Sequence, residues 1–149
     1  MKILLTLTLA LLLCTTTVMY GWDGVIVHHT DSEHMTLEEC NEWHNARGWN
    51  GCGYSFIIQK DGTINTARGF ERTGAHCRGY NSRFLGIAFV AKGTANDRQL
   101  RAFKKFLVDN ASKVGRIVRG HKEMGSTECP GKIMEQLDVD KEFKIRYNR

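Results

Sequence analysis

The chain has 149 residues, of which 42% are apolar and 25% charged. That is enough for one buried core, and it excludes global disorder. The net charge of +5 and pI near 9.0 fit an anionic partner or simply good solubility. Nucleic acid fits poorly, because no basic run with interleaved aromatics occurs and the chain opens like an exported one; an anionic cell-wall polymer fits better.

Met1 and Lys2 precede "ILLTLTLALLLC", an apolar run of about a dozen residues, the length of a signal-peptide core and short for a membrane span. Cleavage is expected near residues 17–21, giving a secreted or periplasmic, extracytoplasmic protein; the membrane is a partner only if the segment stays on as an anchor. Cys14 follows Leu13 instead of a small residue, so a lipoprotein is not indicated. Residues 1–21 are therefore assigned to a leader or anchor and 22–149 to one domain.

"GVIVHHT" is a β-branched run without polar alternation, as in a strand covered on both faces. Thr36 and Glu39 have capping-box spacing ahead of a helix in which Leu37, Cys40, Trp43 and His44 share a face, with Gly48 ending it. "YSFIIQKDGTINTAR" predicts a hairpin about its Asp-Gly turn. "LGIAFVA" is a further apolar strand. "NDRQLRAFKKFLVDNASKVG" places Leu100, Phe103, Leu107, Ala111 and Val114 at helical spacing. "RIVRGH" is a last short strand, "IMEQL" a further helical turn, and the basic tail carries no signal. The expected fold class is α/β: a single domain with a mixed central β-sheet flanked by helices.

Three groups stand at strand ends, where a rigid scaffold can aim side chains into a cleft: His28 with His29, Tyr54, and His121 with Cys129. Zinc takes imidazole and thiolate donors, and catalytic sites keep three protein ligands and an open position. His28 and His29 point to opposite faces of a strand, so one of them with His121 and Cys129 would make a His₂Cys set. Spacing alone leaves open a packed core histidine, an inert cysteine and Pro130 as a plain turn residue. If Cys14 leaves with the leader and Cys129 binds metal, Cys40, Cys52 and Cys77 supply one disulfide and one free thiol, with the pairing open.

"VIVHHT", "GWNGCGYSFIIQKDGTI", "GAHCRGYN", "LGIAF" and "GHKEMGSTECPG" resemble, in order and spacing, the zinc N-acetylmuramoyl-L-alanine amidases. These include amidase-type lysozymes of tailed phages and the peptidoglycan recognition proteins of animals. The resemblance runs from about residue 24 to residue 134. It implies that His28, His121 and Cys129 bind Zn²⁺, and that Tyr54 and Thr127 act beside the metal. His44, Arg68, His76, Arg78 and Asn81 fall on segments lining the groove for peptidoglycan, a glycan with its stem peptide. The implied reaction is hydrolysis of the amide between N-acetylmuramic acid and L-alanine by a monomer. Tyr54 is the first choice as proton carrier, and Glu123 a candidate only if it reaches the cleft. His29 is expected to be packed or behind the ligands, His34 has no assigned role, and Trp43 and Trp49 are expected in the core. The alternatives are a non-catalytic peptidoglycan-binding module, which in this family typically lacks the cysteine at position 129, and a zinc peptidase acting within the stem peptide.

Overall fold

The computed structural model describes residues 21–138 together with 140, 143, 146 and 147. The expected leader, with Cys14, lies outside the described residues, none of whose helices is long and apolar enough to cross a membrane.

The elements run β1 Trp22–His29, α1 Leu37–Asn45, β2 Phe56–Ile58, β3 Ile64–Thr66, β4 Phe84–Phe89, α2 Asp97–Asp109, β5 Val114–Gly120, α3 His121–Met124 and α4 Ile133–Asp138. Five strands form one sheet in the order β3-β2-β4-β1-β5. All its pairings are parallel except the β2–β3 hairpin, so the sheet is mixed. β1 sits between β4 and β5, and Gly24 to His28 are all buried, as its β-branched run without polar alternation requires of a strand covered on both faces.

Side chains alternate across the sheet. Val25, Val27, Leu85, Ile87, Phe89 and Val118 face a large core formed with α2 and α4. Ile26 and Phe84 face the other side, where Cys77 packs on them. α1 covers that second side nearer β2, where Cys40, Cys52 and Ile57 pack together.

The capping boxes form as their sequences require. The Glu39 N–H donates to Oγ1 of Thr36 at 3.1 Å, and the Thr36 N–H donates to the Glu39 carboxylate at 2.7 Å. Asn96 and Gln99 repeat the device at the start of α2. Gln99 is also fully buried, where its amide donates to the carbonyls of Ile58 and Val90, both at 3.1 Å.

Some expectations require correction. α2 stops at Asp109; Ala111 is exposed and Val114 begins β5, because Asn110 caps the helix with its side-chain amide on the Phe106 carbonyl. Trp43 is 58% exposed: Leu37, Cys40 and His44 define the inward stripe of α1, and Trp43 falls on its edge. The tail also contributes apolar surface, since Phe143 and Tyr147 are buried in the main core.

Candidate active site

On the second face of the sheet a cleft of about 340 Å³ opens between α1, the ends of β1 and β5, and the segment around Ala75–His76. Its lining includes His28, His44, Tyr54, His76, His121, Thr127 and Cys129, so seven of the ten residues singled out from the sequence share one cavity. Arg68, Arg78 and Asn81 lie outside that lining.

His28 comes from the C-terminal end of β1, an interior strand of the sheet, and is 2% exposed. His121 follows β5 directly as the first residue of α3, and its ring centroid lies 4.5 Å from that of His28. Cys129 sits on the next loop, tied down from several directions. Its carbonyl accepts from the Lys122 N–H at 2.7 Å, its N–H donates to Thr127 Oγ1 at 3.2 Å, and its Sγ accepts from the His29 N–H at 3.3 Å. The peptide bond to Pro130 is cis. Gly131 then takes φ +69° and passes so close to Gly93 that a Cβ there would stand 2.4 Å from the Gly93 Cα. No other residue could make that turn without moving the loop that carries the thiol.

One ligating atom from each of His28, His121 and Cys129 lies within 4.8 Å of the others. Burial is the main cause that keeps both imidazoles below their ordinary range, for His28 well below it. Neutral imidazoles are what a metal binds. Burial pushes the Cys129 thiol up to about 11, against the His29 N–H that favours its thiolate. Two imidazoles and one thiol, with no fourth protein donor in the group, match a zinc site that keeps a position open.

The opposite wall is built by α1 and the loop behind it. Cys40 and Cys52 form a disulfide, one of the pairings left open by the sequence, and Cys77 is buried with a free thiol. Asn45 Oδ1 accepts from the Gly51 N–H at 2.7 Å, Asn41 Oδ1 from the Cys52 N–H at 2.8 Å, and His44 Nδ1 from the Gly53 N–H at 2.7 Å. This stapled loop delivers Tyr54, whose ring stands 5.2 Å from that of His28. Burial raises the Tyr54 phenol above its ordinary range, so it remains a hydrogen-bond donor. Arg68 braces the same loop, donating to the carbonyls of Cys52 at 2.9 Å and Thr73 at 2.7 Å.

Arg78 is exposed, and Asn81 ties its own loop by accepting from the N–H groups of His76 and Cys77 at 2.8 and 2.9 Å. Glu123 turns back on α3, where its carboxylate accepts from the Gly120 N–H. His34 lines a separate cleft. His29 contributes its backbone to Cys129, and its ring Nδ1 is buried with no hydrogen-bond partner among the described residues.

The lining residues to which sequence reasoning gave no role include Asp31, Arg47 and Trp49. Trp49, expected in the core, is 39% exposed, and the Arg47 guanidinium lies 6.0 Å from its ring centroid. The signal available was position, on the short link between α1 and Tyr54. Asp31 has φ 55°, and nothing in "HHTDS" announces it.

The family model for N-acetylmuramoyl-L-alanine amidase matches residues 19–132. Peptidoglycan-recognition protein SC2 of Drosophila melanogaster is 34% identical over 122 residues, 71% of this chain and 66% of the fly protein. The endolysin of Escherichia phage T7 is 32% identical over 120 residues, 72% of this chain and 80% of the phage protein. Among solved structures, bumblebee PGRP-SA superposes with a TM-score of 0.75 at 30% identity, covering 85% of this chain and 84% of that one.

Proposed function

The chain belongs to the N-acetylmuramoyl-L-alanine amidase family, and from that membership we propose that it is an exported zinc hydrolase. Its substrate is peptidoglycan, and the bond cut is the amide between N-acetylmuramic acid and the L-alanine of the stem peptide. The observation that carries the reading is the clustering of His28, His121 and Cys129, with donor atoms within 4.8 Å of one another, in a cleft of about 340 Å³.

His28, His121 and Cys129 would hold the ion. When bound there, zinc supplies Lewis acidity toward the scissile carbonyl and an acidified water as nucleophile. The chain's own groups do the rest. Tyr54, kept protonated by burial, donates a hydrogen bond to the oxygen that gains charge as the carbonyl is attacked. Thr127 accepts from the Cys129 N–H, which leaves its own hydroxyl hydrogen to donate toward the same oxygen. His44 accepts from the Gly53 N–H through Nδ1, so in its neutral form Nε2 carries the hydrogen and serves as a donor on the cleft wall.

The rival reading, a non-catalytic peptidoglycan-binding protein, draws on the recognition proteins among the relatives; the thiol at position 129 weighs against it. Digestion of purified peptidoglycan followed by mass spectrometry separates the two. Release of stem peptides beginning with a free L-alanine supports the amidase, whereas zinc-loaded protein that leaves glycan and peptide joined overturns it.

A further inference from the structure

Behind His28 stands a second buried histidine, His76, 8% exposed. Both of its ring nitrogens are engaged by the protein. Nε2 lies 3.1 Å from the Phe84 carbonyl oxygen, and Nδ1 lies 2.9 Å from Nε2 of His28. The two rings meet edge to face at 86°, their centroids 5.0 Å apart. With both nitrogens occupied, His76 has none left to bind a substrate, the role implied for it by resemblance.

The order of donors along this chain of contacts follows from elementary valence. A carbonyl oxygen only accepts, so Nε2 of His76 carries a hydrogen. A neutral imidazole carries one N–H, which leaves Nδ1 of His76 as a bare acceptor. The hydrogen between the two rings therefore sits on Nε2 of His28. Nδ1 of His28 is then the bare nitrogen, and it is the one 3.7 Å from the Cys129 sulfur.

The ring of His76 is held in place from both sides. A Cβ on Gly86 would stand 2.4 Å from its Cγ, and a Cβ on Gly74 would stand 2.4 Å from its Cδ2. Gly86 belongs to β4 and is paired with Ile26 of β1, so the strand that carries His28 and the strand that seats His76 are locked in one register. Asn81 fixes the loop on the other side through the His76 N–H.

We infer that His76 is a positioning residue: through the Phe84 carbonyl it holds His28 in the tautomer whose Nδ1 is bare and directed toward Cys129. The inference rests on the reading of His28 as a metal ligand. A ligating imidazole whose second nitrogen donates to a fixed acceptor is oriented and made more basic, and removing such an acceptor weakens metal binding.

The test has two arms. In metal-free protein, long-range ¹⁵N–¹H correlation of the imidazole nitrogens is expected to show His28 and His76 each protonated at Nε2 and bare at Nδ1. A wild-type His28 protonated at Nδ1 overturns the inference. In the second arm, zinc affinity is measured by competition with a chelator. The His76→Leu protein is expected to bind zinc roughly 10- to 100-fold more weakly. His76→Asn, whose side-chain oxygen can occupy the place of Nδ1, is expected to recover most of that loss. Wild-type affinity in His76→Leu overturns the inference. The wild-type spectrum decides even if His76→Leu does not fold. It also separates the two ideas: if the wild-type protein takes no zinc, the hydrolase reading falls while the nitrogen spectrum still reports on His76.

Discussion

The sulfur of Cys129 stands 3.7 Å from Nδ1 of His28, across 101 positions of sequence. Such a pair can act as a nucleophilic thiol with its base or as two donors to a metal. Burial favours the second. It pushes the thiol up to about 11 and holds the imidazole well below its ordinary range, so a thiolate–imidazolium pair is disfavoured from both ends. A cation is what can draw the proton off. Zinc uptake at neutral pH is therefore expected to release one proton from Cys129, read calorimetrically as a heat that varies with the ionisation enthalpy of the buffer. Cys129→Ala should lose both the metal and the hydrolysis, and unchanged zinc stoichiometry in that protein would remove Cys129 from the ligand set.

Tyr54 faces His28 with its phenol kept protonated by burial. If it donates to the charge that develops on the carbonyl oxygen, Tyr54→Phe should lower kcat by about 10²- to 10³-fold. Because the donor matters most in the transition state, KM should change little, and zinc content should stay at the wild-type level. A rise in KM with kcat preserved would instead make Tyr54 a substrate-binding residue.

Much of this architecture was legible in the sequence where a local rule and the tertiary structure agree. The capping residue Thr36, the Asp-Gly hairpin and the β-branched run of β1 all carry their own signal. Strand-end placement made His28 or His29, with His121 and Cys129, a candidate ligand set, and only the resemblance singled out His28, since the two histidines and the cysteine come from three separate segments. What stayed hidden depends on long-range contact. Trp43 missed the core by its angle on α1. His76 looked like a loop residue because nothing local tells that Phe84 and His28 will occupy its two nitrogens. The pairing of Cys40 with Cys52 depends on α1 lying against the loop before Tyr54, which no spacing rule encodes.

That disulfide joins residues 12 apart in sequence, and the loop it closes carries His44, Arg47 and Trp49 of the cleft wall. Loss of a link closing a loop of this length is expected to cost roughly 3 kcal/mol by chain entropy. The Cys40→Ala/Cys52→Ala protein should therefore unfold at lower denaturant concentration, by an amount that reductant reproduces in the wild type. Zinc binding should survive, since none of the proposed ligands lies in the loop, and KM should rise as the wall loosens. An unchanged unfolding midpoint would contradict this account.

Acid should destabilise the metal-free protein in a window set by its buried histidines. Burial is the main cause that brings His76 to about 4 from an ordinary 6.5, and His28 moves in the same direction. Between those two values the unfolded chain binds a proton at position 76 that the folded chain refuses. Stability there rises with pH and falls on acidification. For His76 alone the loss is about 2 kcal/mol between pH 7 and pH 5. The exposed carboxylates Glu33, Glu39 and Asp61 all titrate below their ordinary values, so they act lower on the pH scale and do not blur this interval. Urea unfolding of chelator-treated protein at pH 7 and pH 5 measures the slope. His76→Asn, which cannot take up the proton in either state, should make it shallower, leaving the share of His28, His29, His44 and His121, which burial also lowers; an equally steep slope in that variant would assign the effect to those groups.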